Sequence, residues 1–129
     1  MKRLLLDTHV LIWWLTASRR LSKSALRRFA DPSCEILWSA VATSEIAGLV
    51  RLGRIVLSEP LSRIVSREIR KNGFTPLALE NSHAAKVADL PLHHRDPFDR
   101  LLVAQAMVEE ASVLSLDRTL DLYGIERVE

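Results

Sequence analysis

The chain alternates short, wholly apolar runs with longer stretches in which apolar residues recur every three or four positions. A strand buried on both faces reads as a continuous apolar run, and a helix with one buried face as a 3.6-residue period. The alternation therefore predicts a parallel sheet covered by helices on both sides. Strands are expected at residues 3–6, 35–39, 74–77, 113–116 and 125–128. Pro76 has no amide to donate to a ladder, which puts the third strand at a sheet edge. Helices are expected over 10–15, 22–30 (capped by Ser22), 40–52 (stopped by Gly53), 61–71 (after Pro60, closed by Asn72 and Gly73), 81–88 and 96–108, with Pro97 in the first turn of the last. Residues 89–95 read as a loop and 117–123 as a turn or short helix. Neither a repeat nor a linker interrupts the pattern. The fold class that follows is doubly wound α/β: one three-layer α/β/α domain over residues 1–129, with a five-stranded, mainly parallel sheet.

Composition narrows the picture by exclusion. Apolar residues make up 48% of 129 positions, with four Gly and five Pro, so disordered and collagen-like chains are excluded. The lone cysteine, Cys34, can close no internal disulfide and build no cysteine zinc site; just ahead of Ile36-Leu37-Trp38 it reads as a small buried hydrophobe. Met1-Lys2-Arg3 followed by Leu4-Leu5-Leu6 begins like a secretory leader, but Asp7-Thr8-His9 breaks the apolar run at once. The next run, 10–15, is too short for a leader core or a membrane span, so a soluble cytoplasmic protein is expected. Eighteen Lys and Arg against sixteen Asp and Glu leave a net charge of +2, which alone does not mark a nucleic-acid binder.

The acidic residues carry more information. Leu4-Leu5-Leu6 runs straight into Asp7, and Val113-Leu114-Ser115-Leu116 straight into Asp117. In an open parallel sheet, ligands sit beyond the carboxyl ends of the strands where the strand order reverses. If the two halves wind in opposite directions, the first and fourth strands are neighbours and Asp7 and Asp117 stand side by side. Each Asp alone is equally a helix cap; as a pair they favour a site. Asp96 suits the N-cap of the helix that feeds the fourth strand. Asp99, one turn in, favours the positive end of that helix but is superfluous as a cap, so it is the better ligand candidate. Glu45 sits among Val41, Ile46 and Leu49 and the small residues Ala42, Thr43, Ser44, Ala47 and Gly48, where an unpaired charge is costly. Four such carboxylates repel one another unless a cation compensates. Oxygen donors alone suit Mg²⁺ or Mn²⁺ rather than zinc, and such ions position and acidify a water against a phosphodiester.

At this point the chain resembles a known family. The ordered acids Asp7, Glu45, Asp99 and Asp117, in the strings LLLDTHVLIWWL, SAVATSEIAGLVRLGRI, HHRDPFDRLLVAQA and VLSLD, resemble a PIN-domain ribonuclease, and more narrowly the VapC-type toxins of bacterial toxin–antitoxin pairs. The likeness covers nearly the whole chain, and the third string is the most specific. The resemblance implies a PIN-like fold, Mg²⁺- or Mn²⁺-dependent endonucleolytic cleavage of RNA, a homodimer, and a small VapB-like antitoxin that enters the active-site groove. It implies metal ligands at Asp7 and Asp99, completed by Glu45 and Asp117, with Asp96 accessory. The small hydroxyl common in the family two residues before the last acid is Ser115 here, and Thr8 follows the first acid. Relatives often carry a Lys near the end of the Glu helix; this chain has Gly48 and Leu49 there, with Arg51 and Arg54 as the nearby basic residues that could substitute.

The remaining candidates weigh less. Arg100, beside Asp99, is the arginine expected to reach the site. Arg19, Arg20, Lys23, Arg27 and Arg28, and the one-faced set Arg63, Arg67 and Arg70, would suit RNA phosphates or an acidic groove, although a solvated surface explains any one of them. His93 and His94, with no Cys nearby and no helical i,i+4 partner, are expected to be inert loop histidines, while His9 lies close enough to Asp7 to touch substrate. Trp13, Trp14 and Trp38 read as core or dimer surface. A haloacid-dehalogenase-like phosphatase wants a second Asp two residues after the first, where this chain has His9. A receiver-like signalling domain wants a central phosphoacceptor Asp and a late Lys, which residues 74–79 and 125–129 lack. A catalytically inactive PIN scaffold acting as a protein-binding module is the remaining alternative.

Overall fold

The computed structural model describes residues 2–129; Met1, part of the leader-like N-terminus, lies outside them. Five strands, β1 (Lys2–Leu6), β2 (Cys34–Ser39), β3 (Thr75–Leu77), β4 (Ser112–Leu114) and β5 (Arg127–Val128), form one parallel sheet in the order β3-β2-β1-β4-β5. The chain winds outward from β1 to the β3 edge, then crosses back to β4, so the order reverses between β1 and β4. Leu4, Leu5 and Leu6 pair there with Ser112, Val113 and Leu114. Pro76 sits opposite Trp38 on the edge strand, where its missing amide is harmless.

Among the described residues, six α-helices cover the sheet: α1 (Thr8–Leu15), α2 (Lys23–Ala30), α3 (Ala40–Arg51), α4 (Leu61–Asn72), α5 (Asn81–Lys86) and α6 (Pro97–Val108). Alternation along the strands separates two apolar layers. Leu5, Leu37 and Val113 face α6 residues Leu102, Val103 and Ala106, together with Tyr123. Leu4, Leu6, Ile36, Trp38 and Leu114 face Val10, Leu11, Ala25 and Phe74. Leucines 4 to 6 are fully buried, so truncating Leu5 to Ala would cost about 2–5 kcal/mol. Trp38 is core, whereas Trp13 and Trp14 lie partly buried at the margin of the second layer. Cys34 is half-buried beside that layer, with its Sγ 3.8 Å from Asp31 Oδ2.

The element boundaries differ from expectation where side chains intervene. α1 begins two residues early because the Asp7 carboxylate caps it. β4 ends at Leu114 because the Ser115 hydroxyl turns to accept the Asp117 amide. The expected 81–88 helix tightens after Lys86 into a 3-10 turn, Val87–Asp89, and the 117–123 segment is a 3-10 helix, Arg118–Tyr123. The last strand is reduced to its final two residues. No helix among the described residues is long and apolar enough to cross a membrane.

Candidate active site

The reversal between β1 and β4 sets two strand ends beside each other, and each releases an aspartate. Asp7 caps α1, its Oδ1 accepting the His9 amide at 2.7 Å, and is 5% exposed. Asp117 caps the following 3-10 helix, its Oδ1 accepting the Thr119 amide at 3.0 Å. Ser115 ties the two together: its hydroxyl donates to Asp7 Oδ2 at 2.5 Å and accepts the Asp117 amide at 3.0 Å.

The N-terminus of α6 supplies the next two acids. Asp96 caps it, its Oδ1 accepting the Phe98 amide at 2.8 Å. Asp99 is then carried inward on the first turn. Burial raises its pKa to about 7, aided by the charges of Asp96, Asp7 and Glu45 and opposed by His94. From α3 comes Glu45, half-buried and also raised, first by burial and then by Asp96 and Asp7, with the nearby Thr8 hydroxyl acting in the opposite sense. Neither Glu45 Oε1 nor Thr8 Oγ1 has a hydrogen-bond partner, although both are buried. For Asp117, burial pushes the carboxyl up, but Thr119 and His94 outweigh it and hold the group below the ordinary range. Asp7, Glu45 and Asp99 thus act on one another at one rim, and Asp117 joins them through Ser115 and His94.

Two residues behave differently from expectation. His94 is no inert loop histidine: its Nε2 lies 3.0 Å from Asp117 Oδ2 and 3.1 Å from Asp99 Oδ2. The three ligand-type atoms fall within 4.8 Å of one another. Its position two residues before the α6 cap was the available signal, because that cap delivers the loop to the same rim. His93 remains a packing residue, edge-on to Tyr123 with ring centroids 5.1 Å apart. Arg100 does not reach the acids. One helical step beyond Asp99 turns it toward the preceding loop, where its guanidinium donates to the carbonyls of Pro91 at 3.0 Å and of Val87 and Leu90 at 3.3 Å. Arg51 and Arg54 are exposed at the far end of α3. His9 stays largely exposed beside Asp7, whose carboxylate raises its pKa.

The donor set suits a hard divalent cation. It consists of clustered carboxylates that repel one another, a buried unpartnered Glu45 oxygen and an unpartnered hydroxyl, with no thiolate among the described acids.

A parallel sheet with its acids gathered at the reversal point defines the class, and the PIN-domain model matches residues 4–126: the chain belongs to the PIN-domain family. Ribonuclease VapC22 of Mycobacterium tuberculosis (strain ATCC 25618 / H37Rv) is 32% identical over 124 residues, covering 93% of this chain and 91% of that protein, which makes this a VapC-type chain. The fold matches the VapBC2 structure from Rickettsia felis bound to a DNA fragment from its promoter, with TM-score 0.75 and 10% identity over 98% of this chain and 97% of the other. DNA-bound VapBC from Salmonella typhimurium matches with TM-score 0.71 and 15% identity over 100% of this chain and 98% of that one. The expected doubly wound, PIN-like α/β fold is therefore observed.

Proposed function

We propose that the protein is a Mg²⁺- or Mn²⁺-dependent endoribonuclease, the toxin of a toxin–antitoxin pair, that hydrolyses phosphodiester bonds in RNA within the cytoplasm. The observation that carries this reading is the convergence of Asp7, Glu45, Asp99 and Asp117 at the β1/β4 reversal, with a buried Glu45 oxygen left unpartnered. When bound, the divalent ion supplies Lewis-acid charge for the phosphate and lowers the pKa of a water. Asp7 and Asp99 would hold it, with Glu45 and Asp117 completing the acidic set. Ser115 fixes the Asp7 carboxylate by its hydrogen bond, Asp96 holds the α6 terminus that presents Asp99, and Thr8 lies against Glu45. Arg100 serves at one remove by clamping the loop between Val87 and Pro91.

The kinship with Ribonuclease VapC22 supports RNA as the substrate. The VapBC complexes among the structural matches support a small VapB-like antitoxin as partner, and the family resemblance implies a homodimer as the working form. The test is cleavage of a mixed cellular RNA pool by antitoxin-free protein with Mn²⁺, with EDTA, and with Asp7→Asn. Discrete fragments that require both the metal and Asp7 are expected. Intact RNA in every lane, from protein shown to be folded, would refute the ribonuclease and point to a catalytically inactive scaffold or a DNA substrate.

A further inference from the structure

His94 is held at both ends of its ring and at its backbone. Its Nδ1 accepts the Asp96 backbone N–H at 3.2 Å, so in the neutral ring the proton resides on Nε2. That Nε2–H points between two carboxylates, 3.0 Å from Asp117 Oδ2 and 3.1 Å from Asp99 Oδ2. The His94 N–H donates to the hydroxyl of the buried Tyr123 at 2.8 Å. Arg100 grips the carbonyls of Val87, Leu90 and Pro91 and so steadies the same loop.

These bonds define what the imidazole can do. A histidine ligates a metal through an unprotonated ring nitrogen. Here the unprotonated nitrogen faces a backbone amide, and the nitrogen facing the acids carries the proton. Ligation through Nε2 would require loss of the Asp96 bond and a change of tautomer. A hydrogen-bond donor between Asp99 and Asp117 nevertheless neutralises the same oxygens that a cation would.

We infer that His94 is a positioning residue that occupies the cation's place between Asp99 and Asp117 in the metal-free protein. It gives way when a divalent ion binds, instead of joining the ion as a third ligand, and so sets the metal affinity by competition. The inference rests on the metal-dependent reading of the site. The backbone bond to Tyr123 remains in place while the ring, already 21% exposed, turns out about its own side-chain bonds.

The experiment is Mn²⁺ binding to antitoxin-free protein without RNA at pH 8, followed by the electron paramagnetic resonance of free Mn²⁺. Wild type, His94→Ala and His94→Gln are compared. Loss of a charge-assisted hydrogen bond that the ion must break should tighten binding to His94→Ala by about tenfold. In His94→Gln the amide N–H can take the place of Nε2–H, so affinity should return toward wild type. A second readout is the His94 Nε2–H resonance in ¹⁵N-labelled protein, which should lose its hydrogen-bonded position when Mg²⁺ is added. Weaker or unchanged Mn²⁺ binding in His94→Ala would overturn the competition and leave the metal site standing. An Nε2–H resonance unmoved at saturating Mg²⁺ would do the same. Binding to none of the three folded proteins would remove the metal-dependent reading and this inference together.

Discussion

Replacing Asp99 by asparagine removes the most strongly opposed charge at the rim while keeping the side chain's shape and an oxygen for His94. The folded-state pKa of Asp99 is about 7 against an ordinary value of 3.8, so folding opposes its ionisation. The sign follows from linkage. The penalty is absent below about pH 4, grows as pH rises from there towards 7, and is complete above 7. Taken at face value the difference amounts to about 4 kcal/mol at pH 8. Water and dipoles that relax around the ionised carboxylate lower the effective cost to about 1–2 kcal/mol. For a chain of 129 residues, 1 kcal/mol shifts Tm by about 3–4 °C. Asp99→Asn should therefore melt about 3–8 °C above wild type at pH 8 in EDTA, and the gap should close as pH falls towards 4. Millimolar Mn²⁺ should reverse the order. Wild type gains about 2.7 kcal/mol when the ion is at a hundred times its Kd, and a variant lacking one ligand gains less. Thermal unfolding followed by circular dichroism reads all of these arms. A variant less stable than wild type at pH 8 in EDTA, by the same margin at pH 4, would show that Asp99 is a structural partner of His94 and would refute the repulsion argument.

Two further outcomes are expected. Ser115→Ala removes the donor to Asp7 and the acceptor for the Asp117 amide, so cleavage should fall by about tenfold to a hundredfold while RNA binding holds; a matching loss of RNA affinity by electrophoretic mobility shift would contradict it. Arg100→Ala frees three loop carbonyls at a cost of about 1–3 kcal/mol and should speed limited proteolysis between residues 87 and 96, a change visible by mass spectrometry of the first cuts.

How much of this was legible in the sequence depends on the range of the interaction concerned. The strands next to the reversal read well because burial on both faces imposes a continuous apolar run, as in Leu4-Leu5-Leu6, whereas the partly buried edge strand β5 is two residues shorter than expected. The meeting of Asp7 and Asp117 was legible because both follow such runs directly and the reversal of strand order places those ends together. Glu45 was legible from its apolar and small-residue neighbours. His94 and Arg100 were not, because their partners are settled by a loop without period. Arg100 sits beside Asp99 in sequence, but one residue along a helix is a turn of about 100°, which sends its guanidinium away from the acids. His94 lies five residues before Asp99 and reaches it because the loop bends back onto the rim, anchored by Tyr123, nearly thirty residues downstream. The local signal is only its place two residues before the α6 cap, which says that the loop nears the rim and not which atoms meet.

At this rim, capping and ligation are not competing explanations. A carboxylate has two oxygens, and three of these acids devote one to the fold. Asp7 Oδ1 takes the His9 amide, Asp117 Oδ1 takes that of Thr119, and Asp96 Oδ1 that of Phe98. The other oxygens of Asp7 and Asp117 turn to Ser115 and His94, the partners that position or cover the site. Capping thereby fixes the rotamer of each acid, so the oxygens that chemistry needs are held by secondary structure and not by a flexible loop. Asp99 and Glu45, which make no such cap, both have raised pKa values, with burial as the first cause. They are also the acids for which a cation brings the greatest relief. The division separates the effects of substitution: asparagine keeps the capping oxygen at positions 7 and 117 and removes the charge, whereas alanine removes both. A loss of activity without loss of stability in the asparagine variants, with both lost in the alanine variants, is the signature of an aspartate serving the helix with one oxygen and the reaction with the other.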